Sequence, residues 1–495
     1  MSFEYEVGIV GAGFAGLVAA LKLKKAGKNS FIIFERGSEI GGTWRDNIYP
    51  GCACDIAVHL YSFADVPATG WSRVYAPQPE ILAYLKNVAS DYHLNSHIRL
   101  NADIVEAKFI KEEAAWLVTD RSGRHTMVRT LLLGLGPLNR PFVPRFSGLA
   151  DFKGTSFHTS QWDKTFDPAG KNVAIIGTGA SAIQVVPNIV SRVKQLVVFQ
   201  RTAPWITNRS DKKISDTRKS LYKKFPWLQK SKREFFYWLN EFFGLGFMGN
   251  KPINRVMAWA ALRKLRKEVK DPEMRRKLRP HYTIGCKRIL NSDDYYPTFN
   301  KPNVSLVTEA IERFSAAGIV TTDGQEYAVD TAIFATGFVV ADLDLYIKII
   351  GLHNQNLVDE WKANGAEAYL GTTVSGYPNL AFLLGPNTGL GHNSIVHMIE
   401  SQMNYIMQYI EYLEKGPGVM FLDLKNDVQD AYNERIQKQL QQTVWASGCK
   451  SWYVNARGKN TTLYPRLTLT FRKETKRFDP LAYHRHGTKI SVSPL

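Results

Sequence analysis

Residues 4–16, EYEVGIVGAGFAG, and residues 171–182, KNVAIIGTGASA, are near copies of one another. Each runs an apolar strand-like stretch, VGIV or VAII, into a glycine turn: Gly11, Gly13 and Gly16 in the first, Gly177, Gly179 and Ala182 in the second. A helix-like run follows in each (LVAALKLKKAG, IQVVPNIVSRV), then a second apolar strand, FIIFE or LVVFQR. Such a turn lets the backbone approach a pyrophosphate with no Cβ in the way, and the helix that begins there offers its free N–H groups to the anion. One glycine turn is a weak signal; two in the same setting are a strong one. The copies differ at one telling position. Twenty-four residues beyond the first glycine stand Glu35 and Arg201, at the end of the second strand, where a side chain meets the adenosine ribose. An acid bonds free hydroxyls and an arginine suits a 2′-phosphate, so the first site reads as FAD and the second as NADP. The fold class expected is therefore α/β: two dinucleotide-binding, Rossmann-like domains with a helical insertion in the second.

Composition sets the outer bounds. At 495 residues, with 44% hydrophobic and 22% charged residues, the chain can bury two or three full cores. No apolar run approaches the roughly 20 residues needed to span a bilayer, and the first strand starts too close to Met1 for a leader. Cys52, Cys54, Cys286 and Cys449 are too few and too scattered for a disulfide framework, so a reducing cytoplasm is the expected location. No metal site is expected.

Net charge is +18, and most of it has an address. Residues 209–279 hold 21 Lys and Arg against 7 Asp and Glu, together with the aromatic run FFYWLNEFFGLGF at 235–247. The stretch reads as mainly helical. The plainer expectation is that its aromatics pack on the neighbouring domain while its charges face water; the other is weak contact with an anionic membrane surface. Specific nucleic-acid binding is not expected, nor is an oligomer. The domain order read from the chain is 1–145 for the first part of the FAD unit, 146–208 for the first part of the NADP unit and 209–284 for the basic helical insertion. Residues 285–378 then complete the NADP unit, and 379–495 complete the FAD unit with a mobile C-terminal loop. Within the last segment GPNTGLGHNS, at 385–394, enters a long helix, IVHMIESQMNYIMQYIEYLEK, whose N–H groups near Gly389 to Asn393 can face the flavin pyrimidine edge.

Two nucleotides and a flavin do not say where the electrons go. FKGTSFHTSQWD at 152–163 does: Phe152, Gly154, His158, Trp162 and Asp163 resemble the Baeyer–Villiger monooxygenase fingerprint FxGxxxHxxxW(P/D), in its place between the two dinucleotide units. The related heteroatom-oxygenating flavin monooxygenases usually lack its tryptophan and final acid or proline. The resemblance covers nearly the whole chain. GGTW at 41–44 with YPGCACD at 49–55 is similar to the family's flavin loop, GCKR at 285–288 to its catalytic arginine segment, and SWYVNARGKNTTLYP at 451–465 to its mobile loop. Gly134-Leu135-Gly136 departs from the Ala-Thr-Gly of many members but keeps the turn.

The resemblance implies FAD, NADPH and O2 as co-substrate, a small apolar ketone as substrate, and an ester or lactone as product through a C4a-peroxyflavin. It implies that Arg288 is catalytic and that Asp55 orients it. Flavin contacts are expected from Phe14, Ala15, Thr43, Trp44, Asp46, Tyr61 and Val105 beside the glycines and Glu35. Nicotinamide-nucleotide contacts are expected from Thr178, Ala180, Ser181, Thr202, Lys287 and Trp452 beside Arg201. The family's histidine couples domains, so His158 stays outside the catalytic set. A disulfide reductase on the same scaffold would need two cysteines several residues apart at the flavin, and Cys52 and Cys54 are separated by a single residue.

Overall fold

The strand Tyr5–Val10 lies near the middle of an eight-stranded sheet, paired in parallel with Phe31–Phe34 on one side and His125–Leu133 on the other. All of Phe31–Phe34 and the last four residues of Tyr5–Val10 are buried, because parallel strands are covered on both faces. One face carries the helices Phe14–Lys25 and Ile395–Lys415, which pack together; the 21 residues of the latter are the run read from sequence. The computed structural model describes residues 3–340, 346–416, 418–449 and 451–487.

A second sheet is wholly parallel, in the order Val304–Val307, Gln195–Phe199, Asn172–Ile176, Thr331–Phe334, Thr155–His158. Its edge strand Thr155–His158 is the middle of the FKGTSFHTSQWD fingerprint. The fingerprint is thus built into the second domain. Phe152 packs edge-on against Phe314 at 5.6 Å, and a Cβ at Gly154 would meet the Asp330 carbonyl oxygen at 2.5 Å. Trp162 closes on Phe157 and Phe166 at 5.2 and 5.9 Å.

The helical insertion leaves and returns through a short parallel pair, Ile206–Thr207 with Leu290–Asn291. Between them run the helices Asp216–Lys224, Pro226–Phe247, Lys251–Glu268 and Pro272–Lys277. Ser215, Asn250 and Asp271 accept from backbone N–H groups of the first, third and fourth, which explains where those helices begin.

One boundary differs from the sequence reading. Residues 348–350, expected in the NADP unit, pair in parallel with Glu106–Lys108 of the first sheet, and Trp361 is buried in that sheet's core. The chain therefore returns to the first domain well before residue 379. Three residues of strand with no turn signal are too short to announce a sheet.

Candidate active site

A cavity of about 1130 Å³ runs between the two sheets, larger than the roughly 300–1,000 Å³ of an ordinary single-ligand pocket. Both glycine turns open into it. Gly11 has φ +99° and donates to the Phe34 carbonyl at 2.8 Å; Gly177 has φ +110° and donates to the Phe199 carbonyl at 3.0 Å. A Cβ at Gly11 would meet the Gly134 carbonyl at 2.6 Å, and one at Gly177 the Ala335 carbonyl at 2.5 Å. Each turn thus needs glycine twice over, for its φ and for its space. Gly13, Phe14, Ala15, Thr178, Gly179 and Ala180 line the cavity beyond them, as does Ser181. Gly16 and Ala182 do not line it; both sit inside their helices, where they set how close helix and strand approach.

Glu35 stands where the ribose was expected, and its carboxylate is 3% exposed. It accepts from the Ala12 and Gly37 backbone N–H groups, each at 2.8 Å, and from Arg45 at 2.6 Å. Arg45 also bonds Asp46 and the Glu39 carbonyl. The sequence reading passed over Arg45, although it lies between Trp44 and Asp46; that an arginine there reaches back to Glu35 depends on the loop's path. Thr43, Trp44, Asp46 and Tyr61 all line the cavity, and Trp44 donates its indole N–H to the Tyr61 hydroxyl at 3.0 Å. Val105 does not line it. The three residues before it, Ala102, Asp103 and Ile104, do.

At the other end, Arg201, Thr202 and Lys287 gather on the cavity wall. Burial and the nearby Arg201 hold the Lys287 ammonium below the usual lysine range. Among the described residues neither cation has a carboxylate partner, so their mutual repulsion is relieved only by an anion. Arg288 follows directly. Its Nε and Nη2 donate to Asp55 Oδ2 at 3.0 and 2.6 Å, and the attraction of Asp55 keeps the guanidinium protonated against its burial. Trp452 lines the cavity while still 42% exposed; Tyr453, its neighbour, is buried against Arg288, and burial pushes its hydroxyl up to about 12.

The loop that carries Trp452 is fastened at both ends. Cys449 is disulfide-bonded to Cys286, and the Gly389 N–H donates to the Thr462 carbonyl at 2.8 Å. The cysteines were expected to be too few and too scattered for a disulfide framework, yet this pair bonds: 163 residues separate the two, and only the folded return of the loop brings them together. Replacing both by serine is expected to cost about 2–4 kcal/mol of stability and to speed protease cleavage within 451–463. Unchanged cleavage and melting in the double variant would show that the bond does not hold the loop. Cys52 and Cys54 are free and buried, and burial pushes the Cys52 thiol up to about 12 and Cys54 higher still, which leaves neither poised for dithiol chemistry.

His158 is buried at 1% exposure, with Nδ1 accepting from the Ser160 N–H at 3.1 Å, and burial holds its pKa below the usual histidine value. Its ring meets Phe338, beside the Ala335-Thr336-Gly337 turn, edge-on at 5.6 Å. A second buried acid escaped the sequence reading. Burial pushes Glu241, on the insertion helix, upward; hydrogen bonds from His392, Thr468 and Asn393 outweigh it and leave the group at about 2. Asn393 Nδ2 donates to Glu241 at 2.8 Å, so the insertion holds the turn that aims the helix Ile395–Lys415 at the cavity.

The cradles fit two dinucleotides: paired turns that exclude a Cβ, an acid at one ribose position and unpartnered cations at the other. Comparisons agree. Residues 4–358 match the family model "Flavin-binding monooxygenase-like". A Baeyer–Villiger monooxygenase of Pseudomonas aeruginosa is 44% identical over 98% of this chain and 92% of its own, and one of Streptomyces coelicolor is 40% identical over 96% and 92%. Among solved structures, OTEMO complexed with FAD and NADP superposes with a TM-score of 0.88 at 28% identity, covering 98% of this chain and 100% of its own. The closed form of cyclohexanone monooxygenase gives 0.87 at 26% identity, covering 99% and 100%. With a family model spanning most of its length and such relatives along nearly all of it, this chain belongs to the flavin-binding monooxygenase-like family and, within it, to the Baeyer–Villiger monooxygenases.

Proposed function

We propose that the enzyme inserts one oxygen atom beside the carbonyl of a small apolar ketone, with Arg288 as the catalytic cation and Asp55 as its positioning partner. The overall balance is ketone, O2, NADPH and a proton to ester or lactone, water and NADP⁺. Bound FAD and NADPH supply the electrons that divide O2 between product and water. The observation that carries the reading is the Arg288–Asp55 pair at the junction of the two cradles, with two bonds of 3.0 and 2.6 Å to one carboxylate oxygen. A guanidinium fixed in a site from which water is excluded offsets negative charge developing on oxygen far better than a mobile one. Tyr453 is buried beside the pair and Trp452 lines the cavity, whose largely apolar wall favours a substrate without charge. One chain supplies both cradles and Arg288, which suits a monomer.

The test is to give the enzyme NADPH, oxygen and a panel of linear, cyclic and aryl ketones and identify products by mass. Gain of one oxygen as ester or lactone is expected. NADPH consumption that yields only hydrogen peroxide across the panel, with sulfides oxygenated instead, would favour heteroatom oxygenation.

We assign the 2′-phosphate to Arg201, Lys287 and Thr202. Arg201→Ala is expected to weaken NADPH by roughly 1.5–3 kcal/mol, the value of a charged hydrogen bond, and NADH hardly at all. Equal losses for both, measured as KM or by titration of the oxidised forms, would remove Arg201 from phosphate recognition.

A further inference from the structure

The basic insertion turns its aromatic residues two ways. On the helix Pro226–Phe247, Tyr237, Glu241, Gly244 and Phe247 are buried; Glu241 and Gly244 meet His392, and Phe247 packs near Trp445. That face is occupied. Phe235, Trp238 and Phe242, spaced by three and four residues on the opposite side, are 56%, 53% and 54% exposed. The next helix repeats the pattern, with Val256 and Trp259 at 59% and 62%, and Trp227 near the first helix's start reaches 63%. Ten of the sixteen large apolar side chains exposed among the described residues fall between Leu221 and Trp259. Scattered exposed apolar residues are ordinary; this concentration is not.

Cations are interleaved with those rings. Lys224, Lys232 and Arg263 lie 5.5, 5.4 and 5.5 Å from the ring centroids of Phe225, Phe235 and Trp259. Lys223, Lys230 and Arg255 are exposed beside them, and Glu234 is the exposed acid among them. Long cationic side chains that lie along aromatic rings with their heads outward suit a boundary where apolar matter meets anions.

We propose that this outer face docks on an anionic phospholipid surface. Three partners compete for it. A second copy of the chain would bring two strongly basic insertions together, and like charges oppose that contact. Duplex nucleic acid would engage the cations but, with its bases stacked inside, gives the exposed apolar side chains nothing to enter. An anionic bilayer satisfies both, taking Trp and Phe rings at the headgroup level and Lys and Arg at the phosphates. No helix among the described residues is long and apolar enough to cross the membrane, so the contact is one of lying on the surface. Because the same helix holds Asn393 through Glu241 on its inner face, the docked surface is joined rigidly to the flavin domain.

The test sediments the FAD-loaded enzyme with phosphatidylcholine vesicles, with and without phosphatidylglycerol. Binding to the anionic vesicles, release at high salt and little binding to phosphatidylcholine alone are expected. Trp227→Gln with Trp238→Gln and Trp259→Gln should weaken binding at least about tenfold, with FAD content and NADPH oxidation in solution unchanged. If that triple variant loses FAD, Lys230→Glu with Lys232→Glu is the substitute and should weaken binding to a similar degree. Four results would overturn the proposal: no binding to anionic vesicles, equal binding by parent and variants, a dimer in sedimentation that the variants dissociate, or tighter salt-sensitive retention on duplex DNA than on vesicles.

Discussion

Arg288→Ala is expected to lower the rate of ester formation by about 10²–10³, or roughly 2.7–4 kcal/mol in the barrier, while anaerobic reduction of the flavin by NADPH stays near the parent rate. The asymmetry follows from where the residue sits. Arg288 is adjacent to Lys287, yet Asp55 holds only its Nε and Nη2, and the side chain lines the cavity at the junction of the cradles. Hydride transfer asks only that the two nucleotides be held in register, and Arg201, Lys287 and the turn at Gly177 remain to do so. Charge on oxygen asks for a cation at the junction. Among the described residues lining the cavity there is no substitute if, as proposed, Arg201 and Lys287 hold the 2′-phosphate. Asp55→Ala should fall between parent and Arg288→Ala, because the cation persists but loses the carboxylate that fixes it. Stopped-flow reduction and product mass analysis on the same preparations separate the two steps. Ester formed at the parent rate by Arg288→Ala would remove the residue from catalysis.

What could be read beforehand was what the chain decides locally. The glycine turns and the long helix Ile395–Lys415 are each written in fewer than 25 consecutive residues, and each lies where expected. The Arg288–Asp55 pair joins residues 233 apart and came from family likeness, since no spacing rule reaches that far. Features that need the whole fold were not legible. The Cys286–Cys449 bond needs the C-terminal loop to return over the insertion, and Arg45 needs the flavin loop to curl back on Glu35. For the aromatic run at 235–247 the plainer expectation was cover by the neighbouring domain, the other contact with an anionic membrane surface. Tyr237 and Phe247 are covered, because the 3.6-residue period spreads a continuous aromatic run around the whole helix, and only one face has a domain beneath it.

Gly16→Ala is expected to abolish stable FAD retention, whereas Ala182→Gly in the second copy should cost only about 1 kcal/mol of stability and keep both nucleotides. The third position of the turn is the same in register and opposite in tolerance. A Cβ at Gly16 would lie 1.8 Å from the Gly11 carbonyl oxygen and 3.0 Å from its carbon, both backbone atoms. Retreat is blocked on the far side, because Gly11 is held at φ +99° in a turn so close to Gly134 that even a Cβ at Gly11 would meet the Gly134 carbonyl. The only relief is to lift the helix Phe14–Lys25 off the strand Tyr5–Val10, and that helix has every residue from Phe14 to Leu21 buried. Overpacking of this kind costs about 1–3 kcal/mol where side chains can yield, and here none can. Lifting the helix also turns its first N–H groups away from the pyrophosphate, so affinity falls with stability. At Ala182 a methyl group is already seated with no exposure, which shows that the second helix stands slightly farther from its strand. Measuring bound FAD per chain and melting temperature for both variants decides the matter; a fully loaded Gly16→Ala enzyme with the parent melting temperature would mean that helix and strand adjust more freely than this packing allows.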